Sequence, residues 1–381
     1  MNFNRYIKDF AKKCLSFFYR IKYFYLKHFG HEITLTNLDA QKIIDDNCDH
    51  SQEKFSIQTE NVIEEKFDLM VVIPAYNCEE TIKKCIDSVL RQTTTYTYQI
   101  VVVDDGSTDN TVDILKKYDG NEKVKVIFQE NQGFSGARNS ALKLITGRYI
   151  FFLDSDDYLP TKNAIQKILD TGYKSDADIV EGAAYSFYYE KGNEKKNRDM
   201  LHSYEGKVKS LSDMMGYPWG KIYKSELFKN VKFPDHLWFE DTIVSMILYP
   251  KAKKKVITND LVYAYQVNAN GITHSSAGQG KLIDTYLITV LCVKQEKNLS
   301  LINQETQKLF LNQLAMNYFR LKSLSHCINN AVIVLSIQLY KKNFSHVNDD
   351  ILNHKERRLV KALDTQKTKD IRALLECWYY L

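Results

Sequence analysis

Paired cysteines are missing from this 381-residue sequence. Internal repeats and low-complexity tracts are missing as well. The seven cysteines are odd in number, are scattered and show no zinc-site spacing, standing at positions 14, 48, 78, 85, 292, 327 and 377. We therefore expect no zinc site, and we expect reduced thiols such as those of a cytoplasmic protein.

Long apolar segments are also lacking. The best candidate, 331–339, is too short to cross a bilayer. Arg20, Lys22 and Lys27 interrupt the apolar stretch that a signal peptide would need. The sequence thus predicts no membrane-spanning segment and leaves attachment to a membrane surface open.

Acidic residues are scarce in the first thirty positions, where seven Lys or Arg stand against the single acid Asp9. This segment carries a net charge of +6 and leaves −1 for the other 351 residues, so the body is not a basic surface for nucleic acid. Ten aromatic residues lie in the same segment. A helix of aromatic and basic side chains is typical of an anionic membrane interface or of a helix packed on the protein's own body, and both interpretations stay open.

What the sequence does contain is a run of three carboxylates in four positions, Asp154, Asp156 and Asp157, directly after the apolar segment 149–153. Like charges this close stay ionised at neutral pH only when a cation or hydrogen-bond donors share their charge. Hard oxygen ligands suit Mg²⁺ or Mn²⁺ beside a phosphate better than they suit zinc. The run therefore predicts a divalent-metal site.

From residue 68 onward, short apolar strands alternate with amphipathic helices. Asn77 and Glu80 resemble an N-cap box for the helix that follows them. This alternation predicts an α/β domain with a mainly parallel sheet, whose ligands bind at the carboxyl ends of the strands. Asp104, Asp105 and the carboxylate run should therefore meet at one edge of the sheet. The predicted strands are 69–73, 100–103, 124–128 and 149–153.

Four motifs stand in this order along the chain: VVIPAYN at 71–77, VVVDDGSTD at 101–109, NQG with ARN in 131–139, and DSDD at 154–157. Together they resemble the motifs of the family 2 glycosyltransferases with a GT-A (Rossmann-like) fold. The resemblance covers about residues 68–275 and implies inverting, metal-dependent transfer of a hexose from a nucleotide diphosphate, commonly a UDP-sugar, to a hydroxyl group.

A three-part organisation follows from the patterns and the resemblance together. Residues 1–66 are predicted as an N-terminal amphipathic helix and linker, and 276–381 as a C-terminal helical region. The GT-A catalytic domain would occupy 67–275. Within it, 67–180 would bind the nucleotide sugar and 181–275 would form the acceptor side.

The resemblance also assigns contacts with the donor. Asp105 would accept the N3 proton of a uracil, and Arg138 would pair with a diphosphate or with a carboxylate near the ribose. Tyr76, at the end of the first strand, could stack on a flat base. The other predicted donor contacts are Pro74, Ala75, Glu79, Asn139, Asp154 and Ser155.

Metal binding is assigned first to Asp156, with Asp154 in support. Asp157 is predicted as a metal ligand or an orienting group, and His274 as an additional ligand. A helix-capping role would account for Asp154 or Asp157 singly, but not for the whole run. Manganese or magnesium is the expected ion.

An inverting transfer also needs a general base on the acceptor side. In the family an acidic pair follows the acceptor loop and its second member is usually the base, which predicts Asp241 as the base with Glu240 as its neighbour. A helix N-terminus that attracts acids is the competing interpretation. Trp219, Lys221 and Trp238 are candidates for lining the acceptor cleft, with core packing as the competitor for the tryptophans.

The expected acceptor is a glycan, a lipid-linked precursor or a glycoprotein, as in polysaccharide biosynthesis at the cytoplasmic face of a membrane. Residues 1–30 would make the peripheral membrane contact, and the C-terminal helices could join two copies of the chain. Two alternatives are a non-catalytic nucleotide-sugar-binding or membrane scaffold of the same fold, and a haloacid-dehalogenase-like phosphatase. The phosphatase pattern expects Gly-Thr after its second aspartate, whereas Asp157 and Tyr158 follow Asp156 here.

Overall fold

The computed structural model describes residues 3–48, 55–268 and 278–381. These residues form two compact units. The sheet unit contains the described residues from 55 to 268, and the helical unit contains those before 49 and after 277. The two ends of the described chain therefore belong to the same unit.

A nine-stranded sheet is the centre of the sheet unit, with the order β3-β2-β1-β4-β8-β5-β9-β7 and with β6 paired to β5. Strands β1 to β4 are mutually parallel, whereas β8 runs antiparallel to both β4 and β5. The α/β prediction is confirmed, but the sheet is mixed beyond β4. The strands are β1 Val62–Ala75, β2 Tyr98–Asp104, β3 Val124–Phe128, β4 Leu144–Phe152, β5 Ile179–Glu190, β6 Asn193–Met200, β7 Gly206–Lys207, β8 Lys221–Lys224 and β9 Lys255–Gln266.

Helices connect these strands as the alternating pattern predicts. The π-helical turn Val244–Leu248 leads into the last of them. Residues 69–75 of β1 are buried throughout, as expected of a central parallel strand with both faces covered. The helices are α3 Ile82–Leu90, α4 Thr111–Lys116, α5 Gly133–Leu142, α6 Ala164–Ser175 and α7 Tyr249–Lys251, with 3₁₀ turns at Leu211–Asp213 and Ser225–Phe228.

Two local predictions near β1 are wrong. The strand begins at Val62 rather than at residue 69, because Val62 and Ile63 pair with the start of β4 before a register shift. The predicted N-cap box at Asn77 does not form, since the Asn77 Oδ1 accepts a hydrogen bond from the Thr108 N–H at 2.7 Å. Helix α3 instead follows Thr81, whose side chain makes no capping bond.

The helical unit combines an N-terminal helix pair with the C-terminal helices. Helix α1 packs on α12, and α2 packs on α10. Side-chain caps begin several of these helices, for example Thr36 before α2 and Asn353 before α11. Among the described residues, none of the helices combines the length and the apolar character needed to cross a bilayer. The helices are α1 Phe3–Phe29, α2 Asn37–Asn47, α8 Asp284–Asn298, α9 Gln304–Leu321, α10 His326–Asn343, α11 His354–Asp364 and α12 Thr368–Glu376, with a 3₁₀ turn at Gly280–Ile283.

Candidate active site

The ends of β1, β2 and β4 lie at one edge of the sheet, as the sequence predicts. Ala75 pairs with Asp104 on one side of β1, and Val72 pairs with Phe152 on the other. The Asp105 N–H donates to the Ala75 carbonyl at 2.8 Å, so the peptide after β2 is fixed to the end of β1. This edge brings the first, second and fourth motifs together.

The loop after β1 carries the predicted base and ribose contacts. Pro74 and Ala75 are buried in the sheet, while the Tyr76 side chain is 47% exposed at the edge. Glu79 lies beyond them, and its Oε2 accepts from the Asn110 N–H at 2.9 Å and from Asn110 Nδ2 at 2.6 Å. Glu79 thus fixes this loop to the loop after β2, and Tyr76 is the side chain open to a flat ligand.

Asp105 is buried and oriented by the third motif. Its Oδ1 accepts from Gln129 Nε2 at 2.6 Å and from the Gln132 N–H at 2.8 Å. Its carbonyl accepts from Asn131 Nδ2 at 2.9 Å. Gln129 and Gln132 therefore hold the Asp105 carboxylate in place, and Asn131 holds its backbone.

The carboxylate run follows β4 and divides into two environments. Asp154 and Asp156 are half-buried, and burial together with the charge of Asp154 raises the pKa of Asp156 to about 6. Asp157 is only 1% exposed. Its Oδ2 accepts from the Tyr263 hydroxyl at 2.6 Å, and its Oδ1 accepts from the Gln266 N–H at 2.7 Å. Both Asp157 oxygens are used inside the protein, so of its two predicted roles the geometry fits the orienting one.

Asp154 and Asp156 are the carboxylates of the run whose chemistry fits a divalent ion. Within the described ranges, no group of three or more His, Cys, Asp or Glu side chains is arranged as a complete metal site. Mg²⁺ commonly takes only one or two carboxylates and completes its shell with water and substrate phosphates, a requirement that Asp154 and Asp156 meet. A cation would also favour the ionised form of Asp156. His274 lies outside the described residues.

Arg138 connects the carboxylate run with the predicted acceptor side. Its guanidinium is 4% exposed, donates from Nη2 to Asp154 Oδ1 at 3.0 Å and donates from Nη1 to Glu240 Oε1 at 2.7 Å. The two carboxylates raise the pKa of Arg138 against the effect of burial, so it stays charged. The structure pairs Arg138 with the carboxylates of Asp154 and Glu240, and its predicted role toward a diphosphate or a carboxylate near the ribose stays a prediction.

Asn139, predicted to contact the donor, serves as an anchor in the structure. Its Nδ2 donates to the Phe233 carbonyl and to Asp235 Oδ1, both at 2.8 Å. Its Oδ1 accepts from the Phe233 N–H at 2.9 Å. These hydrogen bonds hold the segment that leads to Glu240, and the contact of Asn139 with the donor stays a prediction.

The acidic pair Glu240 and Asp241 stands on a tight segment. Phe239 has a φ of +65°, and the Val244 N–H donates to the Asp241 carbonyl at 2.9 Å. The Trp238 ring lies edge-on to Phe239 and is half-buried. Glu240 is bound to Arg138, which leaves Asp241 as the member of the pair outside that ion pair.

Lys221 does not line a cleft, contrary to the sequence-based prediction. It is fully buried. Its Nζ lies 3.2 Å from Glu181 Oε2 and donates to the Tyr217 carbonyl at 2.9 Å. Burial lowers the pKa of Lys221, while the charges of Glu181 and Asp241 oppose that shift. Lys221 therefore stabilises the 217–221 turn through its backbone carbonyls and interacts electrostatically with Asp241.

Trp219, one of the two tryptophans predicted as acceptor contacts, lies in an aromatic stack. Trp219 is 4% exposed and lies nearly parallel to Tyr217, Tyr263 and Tyr265, with ring centroids 4.8, 4.6 and 5.2 Å away. Tyr217 is the outer ring and is 45% exposed. Core packing thus describes Trp219, and sequence reasoning missed Tyr217, whose i, i+2 relation to Trp219 was its one sequence signal.

A GT-A-type glycosyltransferase is the class that this sheet edge and its carboxylates define. The chain belongs to glycosyl transferase family 2, whose family model matches residues 70–232. The match to this family rules out the haloacid-dehalogenase-like phosphatase considered from the sequence.

Two curated relatives illustrate the similarity. Glycosyltransferase GlyG of Streptococcus pneumoniae is 31% identical over 54% of this chain and 72% of its own length. The poly(ribitol-phosphate) beta-glucosyltransferase of Bacillus spizizenii is 34% identical over 53% of this chain and 33% of its own length. The chain thus spans about a third of the longer curated relatives.

A solved structure of the same fold is that of S. aureus TarS residues 1–349 in complex with UDP-GlcNAc. It has a TM-score of 0.58 and is 22% identical, covering 82% of this chain and 91% of TarS 1–349. At this identity the likeness establishes the fold, and the GT-A prediction is confirmed.

Proposed function

We propose that this chain transfers a hexose from a UDP-sugar to a hydroxyl group of a glycan, a lipid-linked precursor or a glycoprotein, with inversion at the anomeric carbon. The observation that supports this most is the ion-paired bridge from Asp154 through Arg138 to Glu240. It joins the strand end proposed for the donor diphosphate to the acid pair proposed for the acceptor. The poly(ribitol-phosphate) relative and the UDP-GlcNAc complex of TarS are in keeping with this substrate class.

On the donor side, Tyr76 stacks on the uracil and Asp105 accepts its N3 proton. Asp156 and Asp154 would hold Mn²⁺ or Mg²⁺, which supplies positive charge to the leaving diphosphate. Ser155 lies between these two ligands in the sequence and is proposed as a donor contact. Asp157 orients the run from inside through Tyr263 and Gln266.

On the acceptor side, Asp241 takes the proton of the attacking hydroxyl group as its oxygen approaches the anomeric carbon. Glu240 is held by Arg138 and positions the segment that carries Asp241. One face of the Tyr217 ring stacks on the buried Trp219, and the ring is 45% exposed. An acceptor sugar stacks on this exposed ring. The expected partners are therefore a nucleotide sugar and a sugar-bearing acceptor.

Two further predictions keep their sequence-based support. Self-association of two copies through the C-terminal helices is one of them. A cytoplasmic location, based on the cysteine pattern, is the other. Neither enters the proposed mechanism.

The test is release of UDP from UDP-GlcNAc, UDP-glucose and UDP-galactose by the full chain with Mn²⁺, measured with and without EDTA. We expect one donor to be turned over and EDTA to abolish that turnover. We expect Asp241→Asn to lower kcat by about 10²-fold to 10⁴-fold, the usual contribution of a general base, while UDP binding is kept.

Asp113→Asn is the matched control, because Asp113 is a 73% exposed carboxylate on α4. Near-normal turnover by Asp241→Asn would remove Asp241 from the mechanism. UDP-sugar binding by thermal shift with no turnover of any donor would favour the non-catalytic scaffold instead.

A further inference from the structure

We propose that the outward face of α1 binds the surface of an anionic membrane. Six large apolar side chains on this helix, which we call the α1 apolar face, are more than half exposed and stand at spacings of three, four and seven residues. The exposed fractions range from 54% to 66%. The residues are Phe17, Phe18, Ile21, Phe24, Tyr25 and Phe29.

The opposite face of α1 is fixed to the C-terminal part of the helical unit, and this determines which side faces out. Tyr19 stacks on Tyr380 with ring centroids 3.8 Å apart and planes 2° from parallel. The Ser16 hydroxyl donates to the Tyr380 carbonyl at 3.2 Å, and Lys22 forms an ion pair with Glu376. The helix therefore has its own partners on one side only within the described part of this unit.

The six exposed side chains of the α1 apolar face are neighbours on one helix and not isolated surface residues. Single exposed apolar side chains are normal, whereas a contiguous apolar patch marks an interaction site. Four of the six residues are Phe and one is Tyr, and aromatic rings are favoured at the depth of lipid headgroups. An amphipathic helix of this kind lies in the plane of the interface.

Charge identifies the occupant of the α1 apolar face. Arg20 is exposed and Lys27 half-exposed on the same helix, and residues 1–30 carry seven Lys or Arg against one acid. An anionic lipid surface attracts such a segment. A second copy of the same face would bring like charges together, so self-association through this face is disfavoured.

The experiment measures co-sedimentation of the full chain with vesicles, in the absence of nucleotide sugar. We expect binding to phosphatidylcholine vesicles that contain phosphatidylglycerol and little binding to phosphatidylcholine alone. We expect Phe17→Ser with Phe24→Ser to weaken binding about tenfold or more, and Arg20→Gln with Lys27→Gln to weaken it less and to reduce its salt dependence.

Leu201→Ser with Phe319→Ser is the matched control, because each of these side chains is 62% exposed and neither belongs to α1. The control should bind vesicles as the natural chain does, and circular dichroism should give the same melting temperature for all variants. Equal binding by the Phe17, Phe24 variant and the natural chain overturns the proposal. The proposal is also overturned if the natural chain is a dimer that does not bind vesicles and the Phe17, Phe24 variant is a monomer. That result would show that the α1 apolar face serves self-association.

Discussion

Arg138 is the residue on which the geometry of the candidate site depends most. A buried guanidinium can be stable only with its charge compensated, and Asp154 and Glu240 together provide that compensation. Its planar fork allows one donor nitrogen to face each carboxylate, which a lysine ammonium at the same position could not reproduce. Burial therefore makes Arg138 an internal connector between two acids.

Tyr217 gives a prediction at the same scale. We expect Tyr217→Ala to raise the KM for the acceptor about fivefold, because a stacked ring contributes about 1 kcal/mol. Tyr217→Phe should keep a near-normal KM, since the stacking surface is unchanged. The measurement is initial rate against acceptor concentration, using an acceptor that accelerates UDP release.

The donor side is the internal reference for this prediction. The KM for the UDP-sugar and the rate of UDP release without acceptor should be the same in Tyr217→Ala and in the natural chain. A rise in the donor KM with no change in the acceptor KM would contradict the proposed role of Tyr217.

Sequence reasoning located the residues of the candidate site whose types are tied to motifs. Asp105 and the carboxylate run meet at one sheet edge because strand ends are readable from hydropathy. The direction of each side chain could not be predicted from the sequence. Asp156 and Asp157 are adjacent, yet Tyr263 and Gln266 donate hydrogen bonds to Asp157, and both donors are distant in sequence.

At the scale of elements, the contact between β1 and β4 is unusually close at Gly147. A Cβ added there would lie 2.3 Å from the Met70 N and 2.6 Å from the Tyr149 carbonyl oxygen. Both are backbone atoms of paired strands, so neither can turn away as a flexible side chain could. The glycine allows β4 to lie against β1 at this register.

We therefore expect Gly147→Ala to lower the free energy of unfolding by about 1–3 kcal/mol, the usual cost of overpacking. Urea unfolding followed by circular dichroism checks this. Gly216→Ala is the control, because a Cβ at Gly216 meets nothing within 4 Å and its φ is not in the left-handed region. An equal and small effect of both substitutions would show that the strands adjust to the added methyl group.

Element boundaries were predictable where burial and hydropathy coincide. The predicted strand 124–128 agrees with β3, and the predicted strand 100–103 lies within β2. The first half of β1 was missed, because Glu64, Glu65 and Lys66 are polar and the strand there is mostly exposed. The Asn77 box failed because a side chain that can cap a helix can equally bind a neighbouring loop.

At the scale of the whole molecule, the helical unit depends on contacts between segments more than 300 positions apart. Glu376 makes one of these contacts, because its Oε1 accepts from Lys22, 354 positions away. The same carboxylate also binds two nearer residues, with Lys322 at its Oε1 and the Tyr318 hydroxyl donating to its Oε2 at 3.1 Å. Burial opposes the shift, yet the hydrogen bonds from the two lysines lower the pKa of Glu376. No local sequence pattern indicates such pairing, which explains why the N-terminal and C-terminal regions were predicted separately.

A carboxyl whose folded-state pKa is lowered stabilises the fold above its unfolded pKa, and this stability is lost as the pH falls through the folded pKa. We expect Glu376→Gln to lower the free energy of unfolding by about 1–3 kcal/mol at neutral pH. The difference from the natural chain should shrink below about pH 4, as the natural Glu376 takes up its proton. Urea unfolding at neutral and acidic pH measures it.

The control for this prediction is Asp46→Asn, an exposed carboxylate on α2 in the same unit. It should change stability by less than about 0.5 kcal/mol at either pH. A pH-independent effect of Glu376→Gln would mean that packing, rather than the ionised carboxylate, joins these segments.

The strand β6 bears on how the protein behaves at high concentration. It pairs with β5 alone among the described strands, and all but its last residue are exposed. An exposed strand of this kind is a template for aggregation unless charged side chains discourage a second strand from adding to it. Five of its eight residues are charged, so β6 ends the sheet with a charged strand that discourages a further strand from pairing with it: Glu194, Lys195, Lys196, Arg198 and Asp199.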